Sequence, residues 1–295
     1  MSDTKVIQWH PGFVAAMNLE LAENRDDLIY EKEYNLNTKP LEIDLLVIKK
    51  ESNVQISNEI GRLFRRHNIM EYKSPDDHLD VDAFYKTGAY ASLYKAYGET
   101  SDERKVEDIT VSIVREAKPE KLFQWLHEHD CTIENPYHGI YYILGGVLFS
   151  TQIIVTRELD KETHTWLKAL SSKIQKPDME TLLETINNLT HSYDKELADS
   201  VLEVTARANE EMIEEMIGDG IMCNALMEIM APQIEQKVEE IAKERVEEIS
   251  KERARKASIR SGIELLREYG HNDSEIKEAI MKKFHLSEEE IEAFL

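Results

Sequence analysis

The sequence predicts an α/β fold followed by a wholly helical C-terminal region, and three observations carry that expectation. Short runs rich in β-branched and aromatic residues alternate with helix-period segments through the first half of the chain. From about Asp178 onward every apolar repeat falls at helical spacing. Only 11 Gly and 7 Pro in 295 residues argue against a turn-rich all-β architecture. The length suits one large domain or two ordinary ones, each with a real core. The pattern divides into an α/β domain over residues 1–172, a helical region over 173–232, and a charged helix with a terminal helical hairpin over 233–295.

Taken in order, residues 11–22 (PGFVAAMNLELA) open with a helix-compatible Pro and set Phe13, Met17 and Leu21 at i, i+4, i+8, a short amphipathic helix with Glu20 near its end. Residues 28–36 (LIYEKEYNL) read as a strand and 37–40 as a turn. In 41–49, Ile43, Leu45 and Val47 share one face while Glu42, Asp44, Leu46 and Ile48 share the other; both are largely apolar, as in a central, covered strand. A short helix is expected over 58–67, capped by Ser57 or Asn58. A strand follows at 68–73, then a breaker SPDD, an N-cap at Asp80, a helix over 81–97 and a strand over 108–115. A helix over 119–128, β-like runs over 137–144 and 151–156, and a helix over 161–171 extend the same domain.

The tail repeats Leu182, Ile186, Leu189 and Tyr193, then Val201, Val204, Ala208, Met212 and Met216, at helical spacing. Methionines 212, 216, 222, 227 and 230 read as core filler. Residues 233–256 carry the near-repeats KVEEIAKE and RVEEISKE, with Val238, Ile241, Ala242, Val246 and Ile249 as a narrow stripe and Glu–Lys pairs at i, i+4. That stripe is short for a coiled coil and suits one docking partner. The last 24 residues read as a helical hairpin, with Ser287 and Glu290 forming a capping box at its second helix.

Formal net charge is -22, with -7 over residues 1–116 and -15 over the remainder. Such acidity is unusual for a protein that binds nucleic acid by bulk attraction, and points to local basic contacts for it. Cys131 and Cys223 have no metal-ligand or CxxC spacing and read as thiols of a reducing compartment. The N-terminus lacks a signal-peptide pattern, and no apolar run approaches the roughly 20 residues of a membrane span. The expectation is a cytoplasmic protein without membrane contact, forming a low-order homo-oligomer through its C-terminal helices.

The chemistry concentrates in residues 39–77, KPLEIDLLVIKKESNVQISNEIGRLFRRHNIMEYKSPDD. Asp44 interrupts one apolar run, and Glu71 and Lys73 close the next. A carboxylate inside a strand pattern is costly unless paired, solvated or metal-bound. Asp44 and Glu71 supply hard oxygens suited to Mg²⁺ or Mn²⁺, and Glu20 offers a third carboxylate. Lys73, two residues after Glu71, leaves the same strand face, where its ammonium orients a water or stabilises developing negative charge. Arg62, Arg65 and Arg66 offer phosphate contacts, and Lys86 and Tyr90 fall one helical turn apart. On spacing alone, Glu-x-Lys on a strand is usually an exposed ion pair.

The order helix, strand, strand, strand, helix, strand, with Asp44 and Glu71-Tyr72-Lys73 on the second and third strands, resembles the PD-(D/E)xK nuclease superfamily. KPLEIDLLVIKK, IGRLFRRHNIMEYKSPDD and DAFYKTGAYASLYKA look like bacterial recombination-promoting nucleases and transposase-like proteins. The resemblance covers about residues 10–115 and is looser over 116–172. It implies a restriction-endonuclease-like core (helix, mixed central sheet, helix) and Mg²⁺-dependent DNA cleavage linked to transposition or recombination. It also implies Asp44 and Glu71 as metal ligands, Lys73 as the catalytic lysine, and Glu20 as the accessory acid of the first helix. Ile43 replaces the motif's proline. The alternative reading is a non-catalytic scaffold of nuclease-like fold that binds nucleic acid or a protein partner.

Overall fold

In the computed structural model the described residues are 7–31, 45–51, 53–218, 254–292 and 294, with positions 243, 245, 250 and 251. The chain divides into two compact units, Met1–Met227 and Glu228–Leu295. The first is α/β, built on one seven-stranded mixed sheet. Its strands are β1 (Leu28–Glu31), β2 (Leu45–Lys50), β3 (His67–Lys73), β4 (Ile109–Arg115), β5 (Thr132–Tyr137), β6 (Ile140–Leu144) and β7 (Ser150–Val155). They lie in the order β1-β2-β3-β4-β7-β6-β5. β3, β4 and β7 run parallel at the centre; β1–β2–β3 and β7–β6–β5 are antiparallel flanks.

Alternation along β3 places Ile69, Glu71 and Lys73 on one face and Asn68, Met70 and Tyr72 on the other. The first face is covered by α2 (Val81–Ala96) and α3 (Glu120–Glu128), whose Phe84, Ala91, Tyr94, Phe123 and Leu126 pack with Ile69, Val111, Ile113 and Ile153. Asp80 caps α2 as its sequence predicts, accepting the Ala83 N–H at 2.9 Å. The second face takes α1 (Trp9–Glu20), where Phe13 stacks on Tyr72 at 4.8 Å between ring centroids.

α1 is not the amphipathic surface helix its spacing suggests: every residue from Gly12 to Glu20 is buried. The reason is a second cover. After α4 (Thr165–Ala169) and α5 (Lys176–Asn187), α6 (Ser192–Ala208) lies against α1, so close that a Cβ on Gly12 would meet Val204 Cγ2 at 3.0 Å. α7 (Glu210–Gly218) follows, with Met216 fully buried. The helical residues through α7 therefore belong to the same compact unit as the sheet.

Three elements differ from their sequence pattern. The helix expected over 58–67 is a 3-10 turn, Glu59–Leu63, capped by the Asn58 side chain on the Ile60 N–H at 2.9 Å. It stops because Asn68 takes both the N–H and the C=O of Arg65, at 2.7 Å each. The helix expected over 161–171 shortens to α4, since Asp160 Oδ1 binds the N–H groups of Glu162 and Thr163 in a turn before it. β5, TIENPY, lacks alternation and contains Pro136, which a sheet tolerates at its edge.

The strand expected over 28–36 is present as Leu28–Glu31; residues 32–44, and with them Asp44, lie outside the described residues. So do Cys223, Met222, Met227, Met230 and all five stripe residues, Val238, Ile241, Ala242, Val246 and Ile249, whereas Cys131 is a buried free thiol. In the second unit, residues 254–268, Asp273–Phe284 and Glu288–Glu292 are helical around Ile259, Ile263, Ile276, Ile280 and Ile291. Ser287 and Glu290 form the expected reciprocal cap, with Ser287 N–H donating to Glu290 Oε2 at 2.7 Å. No helix among the described residues is long and apolar enough to cross a membrane.

Candidate functional site

β3 is a buried central strand whose last residues carry charge. Glu71 is 9% exposed, and Lys73 Nζ lies 2.7 Å from Glu71 Oε1. The two-residue spacing puts both on the face under α2, at the carboxyl end of a parallel strand, where open α/β sheets bind ligands. Leu45 of β2 is registered opposite Glu71. α2 brings Lys86 and Tyr90 to the same place. Lys86 Nζ sits 5.6 Å from the Tyr90 ring centroid. The Tyr90 side chain, and further off the Glu71 carboxylate, hold the Lys86 ammonium above its usual pKa. Tyr90 is buried, and Lys86 is exposed. Tyr90 is thus packed and Lys86 is solvated, with Glu71 within electrostatic reach of Lys86.

The remaining candidates fall elsewhere. Glu20 is spent on a structural network behind the opposite face of the sheet. Its Oε2 meets His164 Nδ1 at 3.0 Å and Asn58 Nδ2 at 3.3 Å, and its Oε1 accepts the Leu167 N–H at 3.1 Å. His164 Nε2 reaches Glu59 Oε2 at 3.3 Å. Burial works against a charged imidazole, but hydrogen bonds and charge from Glu20 and Glu59 outweigh it and raise the His164 pKa. A carboxylate with those partners joins α1, the 3-10 turn and α4, and is not free to serve Glu71.

Arg62, Arg65 and Arg66 are exposed, but they precede β3 whereas Lys73 ends it. A seven-residue strand at about 3.3 Å per residue separates them from the lysine by about 20 Å. The 3-10 turn carrying Arg62 also lies over the α1 face, since Ile60 O accepts from Gln152 Nε2 at 2.9 Å. These arginines therefore do not supply local contacts to the Glu71–Lys73 pair, as 39–77 read linearly would suggest.

For a divalent ion the donor chemistry fits in kind: Glu71 is a hard oxygen donor in a site sheltered from water. Among the described residues no group of three or more His, Cys, Asp and Glu side chains is arranged to hold a metal. Asp44, the other proposed ligand, lies outside them.

Two residues, one on each face of the sheet, carried no sequence signal. His164 meets partners 144 and 105 positions away, beyond any periodicity. Arg115, the last residue of β4, is registered against Lys73 and reads in sequence only as the end of a β-branched run. No family model, curated protein or solved structure matches this chain.

Proposed function

We propose that the carboxyl end of β3 is the reaction edge of a metal-dependent deoxyribonuclease with a restriction-endonuclease-like core of the PD-(D/E)xK kind. The observation that carries this reading is the Glu71–Lys73 pair, 2.7 Å apart and sheltered under α2 at a parallel strand's carboxyl end. An exposed, incidental ion pair would not occupy that position. Glu71 and Asp44 would hold Mg²⁺ or Mn²⁺, which supplies charge neutralisation at the scissile phosphate and a coordinated water. Lys73, held by Glu71, presents its ammonium to the phosphate oxygens and stabilises charge as it develops. Lys86 adds a second ammonium from α2. DNA is the substrate class, with occasions linked to transposition or recombination.

The test is nicking of supercoiled plasmid by purified protein with Mg²⁺ or Mn²⁺. Wild type nicks, while Asp44→Asn, Glu71→Gln and Lys73→Met each lose activity by about 10²-fold or more. Cleavage surviving in Glu71→Gln and Lys73→Met sinks the assignment. The net charge of -22 favours a second reading, a nuclease-like scaffold that binds a partner without cleavage. Absence of nicking with either ion by a folded wild type selects it.

A further inference from the structure

β4 runs parallel to β3 and ends beside it, with Arg115 registered against Lys73. Ile109, Val111 and Ile113 belong to the core under α2, so alternation places Arg115 on that face too, next to Lys73 and Glu71. Like charges directly opposite on neighbouring strands repel, so two cations set side by side at a strand end require a counter-charge. Lys73 has one in Glu71. Arg115 makes no ion pair among the described residues and its Nε is buried with no hydrogen-bond partner, although the Glu116 carboxylate attracts it through space. That attraction is shared: Glu116, 5% exposed, also gives its carboxylate to Ser171, Ser172 and Arg157, the last at 3.2 Å, and Arg157 in turn repels Arg115.

A guanidinium is a planar fork of five donors that matches two phosphate oxygens at once, whereas an ammonium acts as a point charge. Beside Lys73 and Glu71, such a fork is placed to receive a phosphate arriving at the carboxyl edge of the sheet.

We propose that Arg115 is a phosphodiester-binding residue that positions the nucleic-acid strand against Glu71 and Lys73. The nuclease reading supplies only the chemistry of the ligand; the binding role stands without cleavage. Lys73 and Arg115 then grip neighbouring oxygens from adjacent strands, which gives an acidic protein one local site for a polyanion.

The experiment is fluorescence anisotropy with a labelled DNA duplex in EDTA over a salt series, using full-length wild type, Arg115→Gln, Arg115→Lys and Lys121→Gln. Lys121, exposed on α3, controls for loss of one charge. Arg115→Gln should bind about 10-fold more weakly and reduce the slope of log K against log salt by about one. Arg115→Lys should lose affinity with the slope kept, because it retains the charge and loses the fork. Lys121→Gln should match wild type. Plasmid nicking with Mg²⁺, run in parallel, separates the two readings. A wild type that binds DNA through Arg115 but never nicks overturns the nuclease reading and upholds this one. A wild type that nicks while both Arg115 variants bind and nick equally well overturns this one alone. Failure of wild type to bind DNA overturns it, as does an Arg115→Gln that melts early yet binds normally. Should Arg115→Gln not fold, Arg115→Lys decides by the same affinity readout.

Discussion

The imidazole of His164 and the carboxylate of Glu20 meet at 3.0 Å where both side chains are at most 1% exposed, tying the segment before α4 to the end of α1. With Glu59 on the other ring nitrogen, the imidazole donates from both nitrogens when protonated. Its pKa is raised in the folded chain, so its stabilising contribution is full below the ordinary histidine value near 6.5 and is lost as pH climbs through the raised one. Urea unfolding of wild type and His164→Asn between about pH 6 and 9 should show the variant weaker by about 3 kcal/mol at the acid end, where it leaves Glu20 buried without its charged partner. The gap should narrow as pH rises. A gap that widens toward alkaline pH would contradict the charged pairing.

Asn68 is fully buried and makes four hydrogen bonds: to Ile48 O at 2.9 Å, to Arg65 O, from Arg65 N and from Thr110 Oγ1, each of these three at 2.7 Å. It fixes the entry into β3 and hence the register that delivers Glu71. Asn68→Ala should cost about 3 kcal/mol or more by denaturant unfolding, because several buried groups lose their partner together. A loss below 1 kcal/mol, as at a surface position, would count against this role.

The turn between β5 and β6 depends on Gly139, whose φ of +78° is one that residues with a Cβ adopt at a cost. A Cβ there would also stand 2.8 Å from Leu159 N and 2.9 Å from Val155 O. Gly139→Ala should lower stability by about 2 kcal/mol or more. Calorimetry finding an unchanged melting temperature would refute the conformation.

In the second unit the opposite change should help. His285 ends the Asp273–Phe284 helix at φ 53°, a left-handed position that glycine fills without strain. His285→Gly should raise stability by about 0.5–1 kcal/mol, read as a higher melting temperature of the full chain. A lower one would show that the imidazole contributes a contact.

The Glu71–Lys73 pair separates stability from reaction. Lys73→Met alone leaves a buried carboxylate unpaired and should destabilise by about 1–3 kcal/mol. The double change Glu71→Leu, Lys73→Met should recover most of that loss while remaining inert toward plasmid. If the double variant unfolds as readily as the single one, the pair is a structural tie.

β3 and the helix start at Asp80 were legible because their signals are local: a short apolar run, a capping side chain, a breaker between them. The Ser287–Glu290 cap was legible for the same reason. Glu20 was legible as an acid in a helix but not as the partner of His164, since nothing in a linear pattern reports a contact across 144 residues. Lys73 and Arg115 came together only through the parallel pairing of β3 with β4. The arginines of 62–66 are close to Lys73 in sequence but lie at the other end of β3. Nearness in sequence across a strand becomes distance in space, because a strand extends its chain almost fully.

That extension makes β3 a ruler. Its beginning lies beside the exposed Arg65 and Arg66, and its end holds Lys73, about 20 Å away. At about 3.4 Å per nucleotide along one strand of a duplex, that length equals roughly six steps. Under the proposed DNA-binding reading, a strand long enough to reach both ends would meet basic residues at two points, and a dinucleotide at one. On that reading the chain length at which affinity stops rising should follow the length of this seven-residue strand.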